Sequence, residues 1–201
     1  MTADCSVSAS RRGTGERGWA RASVDDDGPT LTTARLQALP VTLWNAGYVA
    51  EELARKVALA ARPAAGLGVG GLFAGPDARG TAEPAALRRE LRHRAGAGRA
   101  ALTWVVRDHD GVSVGLLGAD TRELRAAVAV TIGPDERRRG YGTEIVRALA
   151  VWLEASRFAL VETRVRPDDA AAARLARSSS FEPTRVTLAA GWRLWCRPPT
   201  R

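Results

Sequence analysis

Apolar and polar positions along this chain change period several times, and each change marks an element. Arg35–Leu39 alternates as a short strand and is ended by Pro40. In 43–60, Leu43, Tyr48, Leu53, Val57 and Ala60 recur at spacings of three to five, which predicts a helix that Gly47 weakens and could split. The stretch 62–80 is dense in Gly and Pro and predicts a loop. Pro84–Arg94 follows Thr81 with Pro in its first turn and Leu87 and Leu91 four apart, a second helix stopped by Gly96 and Gly98.

The next segment changes to strand patterning. Ala101–Arg107 and Val112–Ala119 flank Asp108-His109-Asp110-Gly111, where Asp-Gly marks a hairpin. A second turn at Asp120–Arg122 leads into a strand ending at Ile132, so three consecutive strands form an antiparallel meander. Residues 140–156 then place Ile145, Leu149 and Leu153 on one helical face. A strand over 158–165, a helix over 168–179 and strands near 184–189 and 192–197 complete the series. The expected fold class is α/β: one domain with a mixed, largely antiparallel central sheet flanked by helices. Residues 1–29 are rich in Ser, Gly, Arg and Asp without apolar periodicity and are expected to be a disordered tail, leaving 30–201 as the domain.

Composition narrows the class. The 201 residues suffice for one full core. No apolar run reaches a membrane span, and no basic-then-apolar leader opens the chain, so a cytoplasmic location is expected. Cys5 and Cys196 are too few for a disulfide framework, and with His93 and His109 they make no metal cluster; no metal is expected. The net charge of +8 admits nucleic acid, an anionic cofactor or acidic substrates. Every basic residue but Lys56 is Arg, which together with the abundant Ala points to compositional bias, and no basic stripe is interleaved with aromatics. Nucleic-acid binding is therefore disfavoured.

The chemistry concentrates at Val130–Glu144, where a strand meets Gly133-Pro134, then Arg137-Arg138-Arg139-Gly140-Tyr141-Gly142-Thr143, then a helix. A helix N-terminus has unpartnered N–H groups and partial positive charge. Glycines let a phosphate approach the backbone, and arginines add charge. A diphosphate-bearing ligand is expected here, and Thr143 is a candidate for a further phosphate hydrogen bond. Arg137-x-x-Gly140-x-Gly142 resembles the acetyl-CoA motif of the GNAT superfamily of N-acetyltransferases. Arg166–Phe181 is similar to that superfamily's second signature, with Asp169 at its Asn position, Ser180 at Gly and Phe181 at Phe. Leu31–Leu36 looks like the opening strand of its ribosomal-protein N-terminal acetyltransferase (Rim-type) branch. The resemblance spans roughly 31–197.

That resemblance implies a splayed strand pair in which the backbones of Val130 and Ile132 hold the pantetheine arm of acetyl-CoA. It implies that the 137–143 turn holds the pyrophosphate, and that Asp169 contacts the cofactor; Asp169 otherwise reads as a helix-start residue. It also exposes departures. Ala176 stands where many relatives carry a Tyr that protonates the leaving thiolate, leaving Ser178 or Ser179 as candidate donors. Ala127 and Val130 stand in the Rim-type Glu-x-Gly-Tyr pattern, leaving Glu123 as the nearest acidic candidate for the general base. The function implied is transfer of an acetyl group from acetyl-CoA to an amine of a protein N-terminus or small molecule, through an acceptor pocket expected from 41–98. The alternatives are a catalytically degenerate acyl-CoA sensor and, less favoured, a nucleic-acid accessory protein. A homodimer is left open.

Overall fold

The computed structural model describes residues 28–57 and 84–198. The expected loop at 62–80 and the expected tail as far as residue 27 lie outside them. The described strands are β1 (Leu31–Thr32), β2 (Leu36–Pro40), β3 (Ala101–Asp108), β4 (Ser113–Arg122), β5 (Arg125–Ile132), β6 (Leu160–Val165), β7 (Glu182–Thr187) and β8 (Arg193–Cys196). They form one eight-stranded sheet in the order β1-β2-β3-β4-β5-β6-β8-β7. The helices are α1 (Ala46–Val57), α2 (Pro84–Gly96), α3 (Tyr141–Ala155) and α4 (Ala170–Ser178). All pairings are antiparallel except β5 with β6. The α3 crossover makes that parallel pair.

The two faces of the sheet carry different cores. On one side α3 and α4 bury Val128, Val130, Val161 and Val165 together with Trp104, Ile145, Leu149, Leu153 and Phe181. The four-residue spacing of Ile145, Leu149 and Leu153 explains this, because it gives α3 one continuous apolar stripe. On the other side α1 and α2 close a smaller cluster of Val49, Leu53, Leu87, Leu91, Val105 and Leu116. Arg94 of α2 is buried there, its Nε donating to Thr103 Oγ1 at 2.8 Å and its Nη2 pairing with Asp120 Oδ1 at 2.7 Å.

Helix α1 begins three residues later than its periodicity suggests. Thr42 N–H donates to Asn45 Oδ1 and Asn45 N–H to Thr42 Oγ1, and this reciprocal cap fixes the start at Ala46. Gly47 then falls in the first turn and does not split the helix.

The core also reaches two residues beyond the expected domain start. Gly28 is buried against the Trp104 indole, and Trp104 Nε1 donates to Pro29 O at 2.7 Å. A fully buried indole N–H needs this carbonyl, so Gly28 and Pro29 pack with the domain expected from residue 30. A chain starting at Gly28 should keep the full stability. A chain starting at Thr30 should lose about 1–3 kcal/mol, because it leaves the donor unpaired. Denaturant melts of the two truncations check this; equal midpoints would show that the Pro29 contact contributes nothing.

Candidate active site

The site begins with an interruption in the sheet. Strands β5 and β6 pair over three rungs only, Arg125 with Leu160, Ala126 with Val161 and Ala127 with Glu162. Beyond them the strands diverge, and Thr163 Oγ1 donates to Val128 O at 2.8 Å across the fork. A side-chain hydroxyl has taken a backbone acceptor that a continued ladder would use. Alternate residues of a strand direct their backbone groups to the same side. Leu124 O accepts from Leu160 N, and Val128 O faces Thr163, so Val130 and Ile132 also present their N–H and C=O groups toward β6. From Val128 to Ile132 this open edge is about 13 Å long at ~3.3 Å per residue.

The open edge leads to the arginine-rich turn. Gly133 N–H returns to Val114 O, and Pro134 starts a 3-10 turn over Pro134–Glu136. Arg138 follows with φ of 64° and Gly140 with φ of 82°. A non-glycine residue in the left-handed region is uncommon, and such strain collects at binding sites. Helix α3 then starts at Tyr141 with no side-chain cap, so the first-turn N–H groups of Tyr141, Gly142 and Thr143 lack intrahelical partners. Gly140 serves the left-handed conformation. Gly142 serves packing, since a Cβ there would stand 2.6 Å from Leu175 Cδ1.

The three arginines differ in role. Arg137 Nε donates to Ile132 O at 3.2 Å, which ties the turn to the strand end. Arg139 pairs with Glu136 at 3.1 Å, and a hydrogen bond with Tyr141, with help from the Glu136 charge, raises its pKa. Arg138 is exposed on the strained residue.

A clamp that the sequence reading did not identify holds this turn. Glu144, in the first turn of α3, accepts from Thr33 Oγ1 at 2.6 Å and from Arg35 N–H at 3.0 Å through Oε1, and from Arg35 Nε at 2.8 Å through Oε2. Arg35 Nη1 also donates to Arg139 O at 2.9 Å, and its guanidinium lies over the Tyr141 ring. The β1–β2 turn is thereby fastened to the anion turn. Burial pushes the Glu144 pKa up, but the bonds from Thr33 and Arg35 outweigh it and the net shift is downward.

The remaining candidates fall in other places. Glu123 lies exposed in the two-residue β4–β5 turn with φ of 54°, at the closed end of the fork. The length of β5 separates it from the 137–143 turn. Asp169 caps α4, its Oδ1 accepting from Ala172 N–H at 2.8 Å. Ser178 is exposed, and its carbonyl accepts from Arg147 Nε at 2.7 Å. Ser179 and Ala176 are fully buried. A tyrosine at 176 would have to enter a packed core.

The family profile described as Acetyltransferase (GNAT) domain matches residues 50–182. The chain belongs to the GNAT acetyltransferases. It is an acetyl-CoA-dependent N-acetyltransferase of that family. Solved structures share this fold at low identity. A protein assigned as a ribosomal-protein-serine acetyltransferase from Vibrio cholerae is 18% identical, with TM-score 0.58, covering 85% of this chain and 97% of its own. An acetyltransferase from Agrobacterium tumefaciens is 16% identical, with TM-score 0.61 and coverages of 92% and 99%. RimL, a ribosomal alpha-N-protein acetyltransferase solved with coenzyme A, is 12% identical, with TM-score 0.61 and coverages of 82% and 94%. No curated protein sequence matches the chain. Among the described residues, no helix is long and apolar enough to cross a membrane.

Because the Glu144 pKa is depressed in the fold, its clamp stabilises above the ordinary glutamate range, about 4.3, and this stabilisation fades as pH falls through the depressed value. Glu144→Gln should therefore lower the melting temperature at pH 7 and narrow its gap to the wild type in acid. Thermal melts from pH 7 to pH 3 check this; a gap that does not change with pH would assign the clamp no charge-dependent role.

Proposed function

We propose that the chain transfers the acetyl group of acetyl-CoA to a primary amine, that of a protein N-terminus or a small molecule. The observation that carries this reading is the open edge of β5 running into a turn with unpartnered helix N–H groups. Such an arrangement suits a ligand with an extended amide-bearing arm and a diphosphate at one end. The residues fit the cosubstrate. Val130 and Ile132 would pair with the arm, and Arg137, Arg138 and the 141–143 amides would meet the diphosphate.

Acetyl-CoA supplies the activated thioester. The chain's own groups do the rest. The Ile132 carbonyl is already committed to Arg137, so the Val130 N–H, Val130 C=O and Ile132 N–H remain to orient the arm. A strand N–H aimed at the thioester carbonyl would stabilise the oxyanion as the amine attacks. The core beneath α3 and α4 closes one face of the fork, so the amine would come from the face on which α1 and α2 pack.

Gly140→Asp tests the anion turn. Asp tolerates the left-handed region better than most residues, so the fold should survive, while its carboxylate brings negative charge to the diphosphate position. Calorimetry with CoA should show at least a tenfold loss of affinity, about 1.4 kcal/mol or more. Equal affinity of wild type and variant would remove the turn from the binding site.

A further inference from the structure

The register of the sheet sets one row of residues across the floor of the fork. Asp120 of β4 pairs with Ala127 of β5, Ala127 with Glu162 of β6, Glu162 with Cys196 of β8, and Cys196 with Glu182 of β7. Residues in register on adjacent strands share a face and lie about 4.8 Å apart between strands. This row lies on the face away from α3 and α4, because its strand neighbours Val128, Val161 and Trp195 point into their core. The row therefore faces the side from which the acceptor would approach, and the Ala127–Glu162 rung is the last before the strands part.

Three carboxylates stand in this row, and their surroundings separate them. Asp120 is held by the buried Arg94, which also bonds Thr103 and Leu102 O, so it belongs to the α2 core contact. Glu182 is exposed on the edge strand. Glu162 alone sits at the fork. Its side chain is 12% exposed, and Arg125, 56% exposed, reaches its Oε2 at 2.9 Å. Such a solvent-facing arginine makes a pair that opens at small cost.

Resting on the transfer reading above, we infer that Glu162 is the general base, receiving the acceptor ammonium at the fork and taking its proton. The neutral amine then attacks the thioester carbonyl. The C–N bond forms and the C–S bond breaks. The thiolate leaves, and the second nitrogen proton passes to it through solvent. Ala127 contributes room, as its methyl lets the ammonium stand between strands beside the Glu162 carboxylate. The other charged or titratable groups on this face around Glu162 are Arg125 on β5, Arg164 two residues on, Cys196 on β8, whose thiol pKa burial raises, and, two strands away on either side, Glu182 and the Asp120–Arg94 pair.

The experiment uses the full chain with acetyl-CoA and three amine probes: a serine-initiated peptide, spermidine and kanamycin. Thiol release is read from pH 6 to pH 10, and CoA affinity by calorimetry. Glu162→Gln should keep CoA affinity within twofold and lose about 10²–10⁴-fold in kcat/KM at pH 7. Its residual rate should climb steadily toward the amine pKa, where wild type levels off. Adding Ala127→Glu to Glu162→Gln places a carboxylate on the neighbouring strand at the same rung and should restore at least tenfold. Unchanged turnover in Glu162→Gln, a loss without change in the shape of the pH profile, or no rescue by Ala127→Glu overturns the assignment while leaving the transfer reading intact. Absence of transfer by wild type to any probe overturns both, and loss of CoA binding by wild type overturns the site itself.

Discussion

The molecule depends on a parallel strand pair that stops pairing after three rungs. A buried strand edge with unmet hydrogen bonds is costly, so a sheet tolerates one only where something else satisfies it. Here the satisfaction is partial and graded. Thr163 meets the Val128 carbonyl with its hydroxyl, and Arg137 meets the Ile132 carbonyl with its Nε. Between these two fixed points the groups of Val130 remain for a ligand. The protein thus keeps its ends closed and its middle open, which is the arrangement an extended amide chain can complete.

The rest of the site is arranged around keeping that opening in shape. Leu175 of α4 packs over Gly142, so the second helix holds the start of the first. Glu144 draws Thr33 and Arg35 onto the same turn from the other side of the sheet order, and Arg35 holds the Arg139 carbonyl. Arg35 is thus spent on building the turn, and the charge left to face an anion comes from Arg137 and Arg138. The net charge of +8 contributes to this site through a few positions only.

What was legible in the sequence was what short-range patterning encodes. The 101–132 meander followed from alternation and an Asp-Gly turn, α3 from residues four apart, and the anion turn from glycines and arginines beside a helix start. What was not legible depended on register or on contacts distant in sequence. Thr33 and Arg35 meet Glu144 more than a hundred positions away, and nothing local marks a polar triad of that kind. Gly28 and Pro29 read as tail because their partner is a tryptophan on β3. Glu123 read as close to the chemistry because chain proximity to β5 does not say which end of the strand is open. Glu162 carries no local signal, since its standing beside Ala127 exists only once the parallel register is set. Asp169 could be a cap or a cofactor contact from sequence, and only the structure places its carboxylate on Ala172 N–H.

Amide hydrogen exchange along β5 tests the central claim most directly, because alternation along the strand makes opposite demands on neighbouring residues. Ala129 and Thr131 direct their amides to β4 and should be protected with or without CoA. Val130 and Ile132 direct theirs into the fork and should exchange readily in the free protein, then slow at least tenfold when CoA is added. Val130 and Ile132 amides already protected without ligand, or unchanged by saturating CoA, would contradict a binding edge at this strand.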